Sequence, residues 1–142
     1  MASGIAVNDA CIKEYSALSR SRTHRAVILK INDDMSEVVV DGILPKSQGD
    51  HEADWKDFVK MLPEADCRYA VVDFEWKDQP TVTKSKICLI LWSPEYSRIK
   101  SKMIYAASQE AVASKMADVQ RQLQATELEE LEYGVVKSQV AK

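Results

Sequence analysis

The fold is decided by two apolar segments of the sequence, RYAVVDFEW at residues 68–76 and KICLILW at residues 86–92. Side chains in the first segment alternate between two faces, one of them strongly apolar, as in a β-strand. The second segment is apolar at every position after Lys86, which predicts a strand at the centre of a sheet and covered on both faces. The polar stretch KDQP at residues 77–80 predicts the turn that follows the first strand.

The segments around these two strands predict helices on both faces of the sheet. Further strands are predicted at residues 26–31, 37–40 and 119–124. Helices are predicted at residues 8–19, 54–62 and 94–116, and from residue 127 onward. Helices that come before, between and after strands pack on both faces of a mixed sheet. We therefore expect a single three-layer α/β/α domain over residues 1–142, with five to six strands and a flexible N-terminal arm at about residues 1–6.

The composition is that of a soluble globular protein, with 46% hydrophobic and 29% charged residues among 142. The longest apolar run, residues 87–92, is far shorter than the roughly 20 residues of a membrane-spanning helix. The first residues lack the pattern of a signal peptide, and an odd number of scattered cysteines favours reduced core thiols. These features predict a cytoplasmic protein, and a net charge of −3 argues against general nucleic-acid binding.

The sequence offers little to support an enzyme. It contains two histidines, His24 and His51, and no zinc-binding, phosphate-binding or nucleophile-elbow motif. The three cysteines, Cys11, Cys67 and Cys88, have apolar neighbours and are expected to be buried core residues. We predict no catalytic residue, no metal and no cofactor. A small cysteine-dependent enzyme stays open as a remote alternative, because a cysteine and a histidine can meet in space without being close in sequence.

The predicted long helix has an unusual outer face. Its apolar stripe is formed by Ile104, Tyr105, Ser108, Ala111 and Val112. Met103 lies on the other side of the helix between Lys100 and Lys102, and a methionine framed by charge is typical of a protein-binding surface. Two interpretations remain: an exposed binding face, or a kinked helix that buries Met103.

A second feature is a set of five cations in the same half of the chain. They are Lys84, Lys86, Arg98, Lys100 and Lys102. The first two precede the central strand and the others open the long helix. They could form one electrostatic rim for an acidic partner, or they could be scattered surface lysines.

Several sequence blocks resemble the actin-depolymerising factor/cofilin family. The long-helix block is KSKMIYA at residues 100–106. The others are ASGIAV (2–7), LPEADCRYA (62–70), DFE (73–75), LWSPE (91–95) and LQAT (123–126). They occur in the family order and cover essentially the whole chain.

The resemblance implies a non-catalytic protein that binds actin monomers and filaments, prefers ADP-actin, and severs and depolymerises filaments. It places the monomer-binding face at Ser3, Gly4, Lys100, Lys102, Met103 and Ser108. It places the filament-binding face at Lys84 and Lys86. It further implies a monomeric protein of the actin cytoskeleton, inhibition by phosphorylation of Ser3, and inhibition by phosphoinositide lipids that compete for the same lysines.

The chain also departs from the family pattern. Ser138 and Gln139 stand where the family often has Glu and Arg, and Gly134 weakens the predicted C-terminal helix. Arg121 replaces a histidine linked to pH sensitivity in some members. These departures leave an alternative open: a relative that mainly binds monomers or filament sides and severs weakly.

Overall fold

The computed structural model describes residues 5–47 and 50–141. The strands are β1 (Ala6–Val7), β2 (His24–Ile31), β3 (Glu37–Pro45), β4 (Arg68–Gln79), β5 (Val82–Trp92) and β6 (Arg121–Ala125). The helices are α1 (Asp9–Ser19), α2 (His51–Lys60), α3 (Ile99–Ser114) and α4 (Tyr133–Val140), with a 3₁₀ turn (Leu128–Leu131) before α4. The strands form one mixed sheet in the order β1-β3-β2-β4-β5-β6, which confirms the predicted fold class.

Helices cover both faces of the sheet because side chains alternate along each strand. On one face, Tyr69 and Val71 of β4 pack with residues of α1 and α3. On the other face, Ala70 and Val72 pack with α2 and α4. We call these the α1/α3 side and the α2/α4 side. The strand predicted to be central, β5, is an inner strand with β4 on one side and β6 on the other.

The hairpin of β4 and β5 is longer than its apolar segments predicted. Its antiparallel register runs from Arg68 opposite Trp92 to Gln79 opposite Val82, and the chain turns at residues 80–81 and not at 77–80. The added residues are mostly exposed and polar. Backbone ladder hydrogen bonds do not require apolar side chains, so hydrophobic alternation detects only the buried part of a strand.

The long helix begins later than the sequence predicted. Residues 94–98 form a turn, in which the backbone N–H and the hydroxyl of Ser97 both donate to the Pro94 carbonyl at 3.0 and 2.6 Å. The helix therefore begins at Ile99. The single helix predicted from residue 127 is divided into the 3₁₀ turn and α4, because Glu132 between them has an extended backbone with φ −62° and ψ 141°.

Ile5 and Ala6, which the sequence assigned to a flexible N-terminal arm, belong to the folded domain. Ile5 is buried in the core on the α1/α3 side, and β1 pairs in parallel with β3. The sequence did not predict this two-residue strand, because a strand so short carries no periodicity.

Candidate functional site

Helix α3 is fixed to the sheet by a line of buried polar contacts. Tyr105, Ser108 and Val112 form its buried side. The hydroxyl of Tyr105 accepts a hydrogen bond from the backbone N–H of Ile31 at 2.9 Å. The hydroxyl of Tyr69 donates to the Tyr105 carbonyl and also bonds with Ser108. We call Tyr69, Tyr105 and Ser108 the tyrosine seam.

Burial controls the chemistry of the tyrosine seam. It raises the pKa of Tyr69 and, against an opposing hydrogen bond from Ile31, the pKa of Tyr105. Both phenols therefore stay protonated at neutral pH and hold α3 as neutral hydrogen-bonding groups.

The outward side of α3 exposes Met103, as helical spacing predicted. Met103 is 68% exposed and Ile99 is 75% exposed, so the alternative of a buried Met103 is wrong. Lys100 is exposed, whereas Lys102 is partly covered and its ammonium group donates to the Glu95 carbonyl at 2.9 Å. We call Ile99, Lys100, Lys102 and Met103 the α3 face.

Ser108 was predicted to bind actin on the monomer face, but it is buried and does not belong to the α3 face. Its side chain is 1% exposed and lies in the tyrosine seam. Ser108 is five positions after Met103, which turns it to the opposite side of an α-helix. Ser108 therefore helps to hold α3 against the sheet, and its side chain is not accessible to a partner.

Lys84 and Lys86 lie elsewhere on the molecule. They stand opposite Trp76 and Phe74 in the hairpin register, so they point toward the α2/α4 side. Lys84 pairs with Asp78 at 3.2 Å and its side chain is 55% exposed, whereas Lys86 is partly buried. We call these two lysines the hairpin face.

The five cations do not form one patch. Lys86 and Trp92 are six positions apart on an extended strand, a distance of roughly 20 Å at about 3.3 Å per residue, and α3 begins beyond Trp92. The α3 face and the hairpin face also lie on opposite sides of the sheet.

Helix α4 lies on the same side of the sheet as the hairpin face. Val136 and Val140 are buried there, and the Tyr133 hydroxyl donates to the Glu75 carbonyl of β4 at 2.6 Å. Ser138 and Gln139 are exposed. The residues that depart from the family pattern therefore lie on the solvent side of α4.

The predicted residues Ser3 and Gly4 lie outside the described part of the chain. The first described residues approach α3, because Ile5 belongs to the same core cluster as Tyr105 and β1 contacts α3.

Comparison with known proteins agrees with this fold. A family described as cofilin/tropomyosin-type actin-binding protein matches residues 4–141 of the sequence. The chain belongs to the actin-depolymerising factor/cofilin family. Actin-depolymerizing factor 3 of Zea mays is 41% identical over 135 residues, covering 95% of this chain and 94% of the relative. Actophorin of Acanthamoeba castellanii is 36% identical over 140 residues, covering 99% of this chain and 97% of the relative.

Solved structures give the same result. Plasmodium berghei actin depolymerization factor 2 superposes with a TM-score of 0.89 at 28% identity, over 100% of both chains. Cofilin of Streptomyces griseoflavus superposes with a TM-score of 0.85 at 25% identity, over 97% of this chain and 98% of the other.

The actin-depolymerising factor/cofilin family consists of actin-binding regulators and not enzymes, and the cysteines fit that conclusion. All three are free and buried. Burial raises the pKa of Cys11 to about 11 and that of Cys88 to about 12, so these thiols are not nucleophilic thiolates at neutral pH. His24 pairs with Glu14 at 2.9 Å and His51 stacks on Tyr133, so neither ring is placed against a thiol.

Within residues 5–47 and 50–141, no three histidine, cysteine, aspartate or glutamate side chains are grouped in a way that could hold a metal ion. In the same residues, no helix is both long enough and apolar enough to cross a membrane.

The sequence interpretation missed a buried ion-pair network in this cofilin-family chain. Asp73 is fully buried and pairs with Arg22 at 3.1 Å and with Lys46. Arg25 is also buried and pairs with Asp54 at 2.9 Å and with Glu75 at 2.5 Å. An aspartate inside an otherwise apolar strand was the available signal, but its partners are distant in sequence. Lys46 directly follows β3, and we assign this network a structural role.

Proposed function

We propose that this chain binds monomeric and filamentous actin, prefers the ADP-bound form, and promotes filament severing and depolymerisation. The family assignment supports actin as the partner, and the Zea mays relative is named for actin depolymerisation. One observation carries the residue-level proposal: an exposed methionine between two lysines on a helix that is fixed to the sheet from behind.

The α3 face is proposed as the monomer-binding face, together with Ser3 and Gly4. Met103 and Ile99 offer apolar contact area on a rigid helix, so little conformational entropy is lost on binding. Lys100 extends from the same turn and favours an acidic partner surface. Lys102 is expected to contribute less to steering, because its ammonium group is already held by the Glu95 carbonyl.

The hairpin face is proposed as a second contact that is used only on filaments. It lies on the opposite side of the sheet from the α3 face and roughly 20 Å along β5, so one molecule can touch two neighbouring actin subunits at once. A protein that binds a distorted filament more tightly than an undistorted one shifts the filament toward the distorted state. That shift would promote severing and subunit loss.

A second candidate function is a relative that binds monomers or filament sides with weak severing. The neutral, exposed side chains of Ser138 and Gln139 favour it, because they lie on the same side of the sheet as the hairpin face and bring no charge to it. Time-resolved microscopy of filaments separates the candidates. Severing at the rate of a standard cofilin would eliminate the weak-severing version.

Regulation is proposed to act on the α3 face. A phosphate on Ser3 would add repulsion and a desolvation cost to an acidic interface. Anionic phosphoinositide headgroups would compete with actin for Arg98 and Lys100, both exposed at the start of α3. We also propose that the protein acts as a monomer in the cytoplasm, on the actin cytoskeleton.

Co-sedimentation with actin filaments and a monomer-binding assay test the central proposal. The double substitution Lys100→Ala/Lys102→Ala should weaken binding to both actin forms by roughly tenfold or more. Lys115→Ala, an exposed lysine just beyond the other end of the helix, is the matched control and should bind normally. Normal affinity in the double variant would contradict the assigned face, and no binding of the parent chain to either actin form would overturn the function.

A further inference from the structure

A groove outside both proposed actin faces runs between α2 and the segment that leads from β6 into α4. It consists of two adjoining clefts of about 480 and 410 Å³. The clefts share Val59 and Lys60 of α2 and Leu128 of the 3₁₀ turn as wall residues. We call the two clefts together the α2 groove. It contains no residue of the α3 face or the hairpin face.

The α2 groove is preformed and apolar. Two buried indoles line it, and each donates a hydrogen bond to a backbone carbonyl on the groove wall. Trp92 donates to the Pro63 carbonyl and Trp55 to the Leu131 carbonyl, both at 2.7 Å. Between the clefts, Leu128 is 54% exposed. A fixed apolar concavity with a protruding leucine is typical of a binding site for a bulky apolar group.

The rim of the α2 groove is acidic. The carboxylates that line it are Glu64, Glu95, Glu127, Glu129 and Glu132, and the only ammonium groups among its lining residues are Lys56 and Lys60. Five negative and two positive charges leave a net charge of −3, equal to the net charge of the whole chain. The lining of this groove alone therefore carries as much net negative charge as the whole protein, which favours a cationic partner.

We propose that the α2 groove binds a short segment of a partner protein that presents bulky apolar side chains between lysines or arginines. A polypeptide supplies both chemistries, apolar anchors for the two clefts and cations for the rim. Nucleic acid and anionic lipid headgroups would be repelled by the rim. The inference is independent of the proposed actin binding, because the groove and the actin faces have no residue in common.

Nuclear magnetic resonance of the indole N–H groups tests the proposal directly. The probe is a capped peptide of about ten residues with two leucines flanked by lysines. The chain has three tryptophans, so Trp55 and Trp92 report on the groove and Trp76, which does not line it, is an internal reference. We expect the Trp55 and Trp92 signals to shift in a saturable manner while the Trp76 signal stays in place. Peptides with glutamate replacing lysine, or serine replacing leucine, should leave all three signals unchanged.

Surface variants then locate the bound peptide. Leu128→Asp should weaken peptide binding by roughly tenfold or more, since it places a charge between the two apolar clefts. Val135→Asp is the matched control, because Val135 is an exposed apolar residue of the neighbouring α4 that does not line the groove. The double substitution Glu64→Gln/Glu129→Gln should weaken binding by a few-fold and reduce its salt dependence.

Three results would overturn the proposal. The first is equal peptide affinity in Leu128→Asp and the parent chain. The second is equal binding of the lysine and glutamate peptides, which would show that the acidic rim does not discriminate between cationic and anionic peptides. The third is self-association of the parent chain in sedimentation experiments that Leu128→Asp abolishes, which would identify the occupant as a second copy of this chain.

Discussion

The α3 face and the hairpin face differ in how the fold supports them. The α3 face lies on a helix whose opposite side is bonded to the sheet through Tyr69 and Tyr105. The hairpin face lies where β4 and β5 extend beyond the rest of the sheet, and Lys84 there has a salt bridge with Asp78. The α3 face combines exposed apolar side chains with lysines on a rigidly supported helix, whereas the hairpin face is formed by lysines close to solvent. Affinity at the α3 face should depend mainly on shape and burial and less on salt, whereas affinity at the hairpin face should depend mainly on salt.

The largest expected effect comes from placing a charge at the centre of the α3 face. Met103→Asp should weaken monomer binding by roughly a hundredfold, the effect of losing an apolar interface residue and burying a carboxylate in its place. A fluorescence titration with labelled actin monomers measures it. The thermal unfolding midpoint should not change, because Met103 is 68% exposed. A loss of less than about threefold would show that α3 is not the principal contact.

Alkaline pH should destabilise the two sides of the sheet separately. Burial raises the pKa of Cys88 on the α2/α4 side from 9.0 to about 12, and that of Cys11 on the α1/α3 side to about 11. Above pH 9 the unfolded chain therefore loses thiol protons that the folded chain keeps, so the free energy of unfolding falls as pH rises. Urea unfolding across this range should show the decline. Cys88→Val should make the decline shallower and leave the part due to Cys11 and to the buried tyrosines, whereas an unchanged decline would exclude Cys88 as a source.

Removing one hydrogen-bonding group from the tyrosine seam tests whether the support of α3 matters. Tyr105→Phe leaves the buried N–H of Ile31 without its acceptor, which should lower the free energy of unfolding by about 1–3 kcal/mol. Tyr96→Phe is the control, because Tyr96 is 76% exposed and precedes the same helix. Equal stability of the two variants in urea would mean that the seam does not hold α3 in place.

The hairpin face should respond more weakly and only on filaments. Lys84→Ala/Lys86→Ala is expected to reduce filament affinity by several-fold at low salt and by less at high salt, while monomer affinity stays the same. Co-sedimentation at two salt concentrations measures the effect. Lys13→Ala, which removes an exposed lysine of α1 on the other side of the sheet, should have no effect. An equal loss of monomer affinity would show that the hairpin face also contributes to monomer binding.

The smallest effect is expected in α4. Gly134 lies in this helix, and a β-carbon added there would meet nothing within 4 Å. Gly134→Ala should therefore stabilise the domain by up to about 1 kcal/mol. Urea unfolding measures the gain. If the same substitution also increases filament binding, the stability of α4 limits the affinity of the proposed filament contact.

The sequence predicted the parts of the fold that repeat with a clear period. Alternation along residues 68–76 correctly assigned the two faces of β4, and helical spacing correctly turned Met103 outward. The polar tip of the hairpin escaped prediction because its side chains carry no hydrophobic alternation. Helical spacing also placed Ser108 on the apolar stripe, where it is buried, whereas the family resemblance placed it on the monomer-binding face.

Features assembled from distant segments could not be predicted from the sequence. The α2 groove needs α2 and the 3₁₀ turn side by side, and Trp55 and Leu131 meet across a separation of 76 residues. The pairing of Arg25 with Asp54 and Glu75 likewise depends on packing and not on local pattern. Hydrophobic periodicity reports how one segment faces the core, but not which segments become neighbours.

The register of the β4–β5 hairpin determines which changes in chain length the protein can tolerate. Side chains alternate with a period of two, so inserting one residue between Lys86 and Cys88 would turn both lysines toward the α1/α3 side. The proposed filament contact would then be lost without any substitution of its residues. The turn at residues 80–81 lies beyond both lysines, and it can lengthen or shorten while leaving their orientation unchanged. Among relatives, variation in hairpin length should therefore be concentrated at this tip.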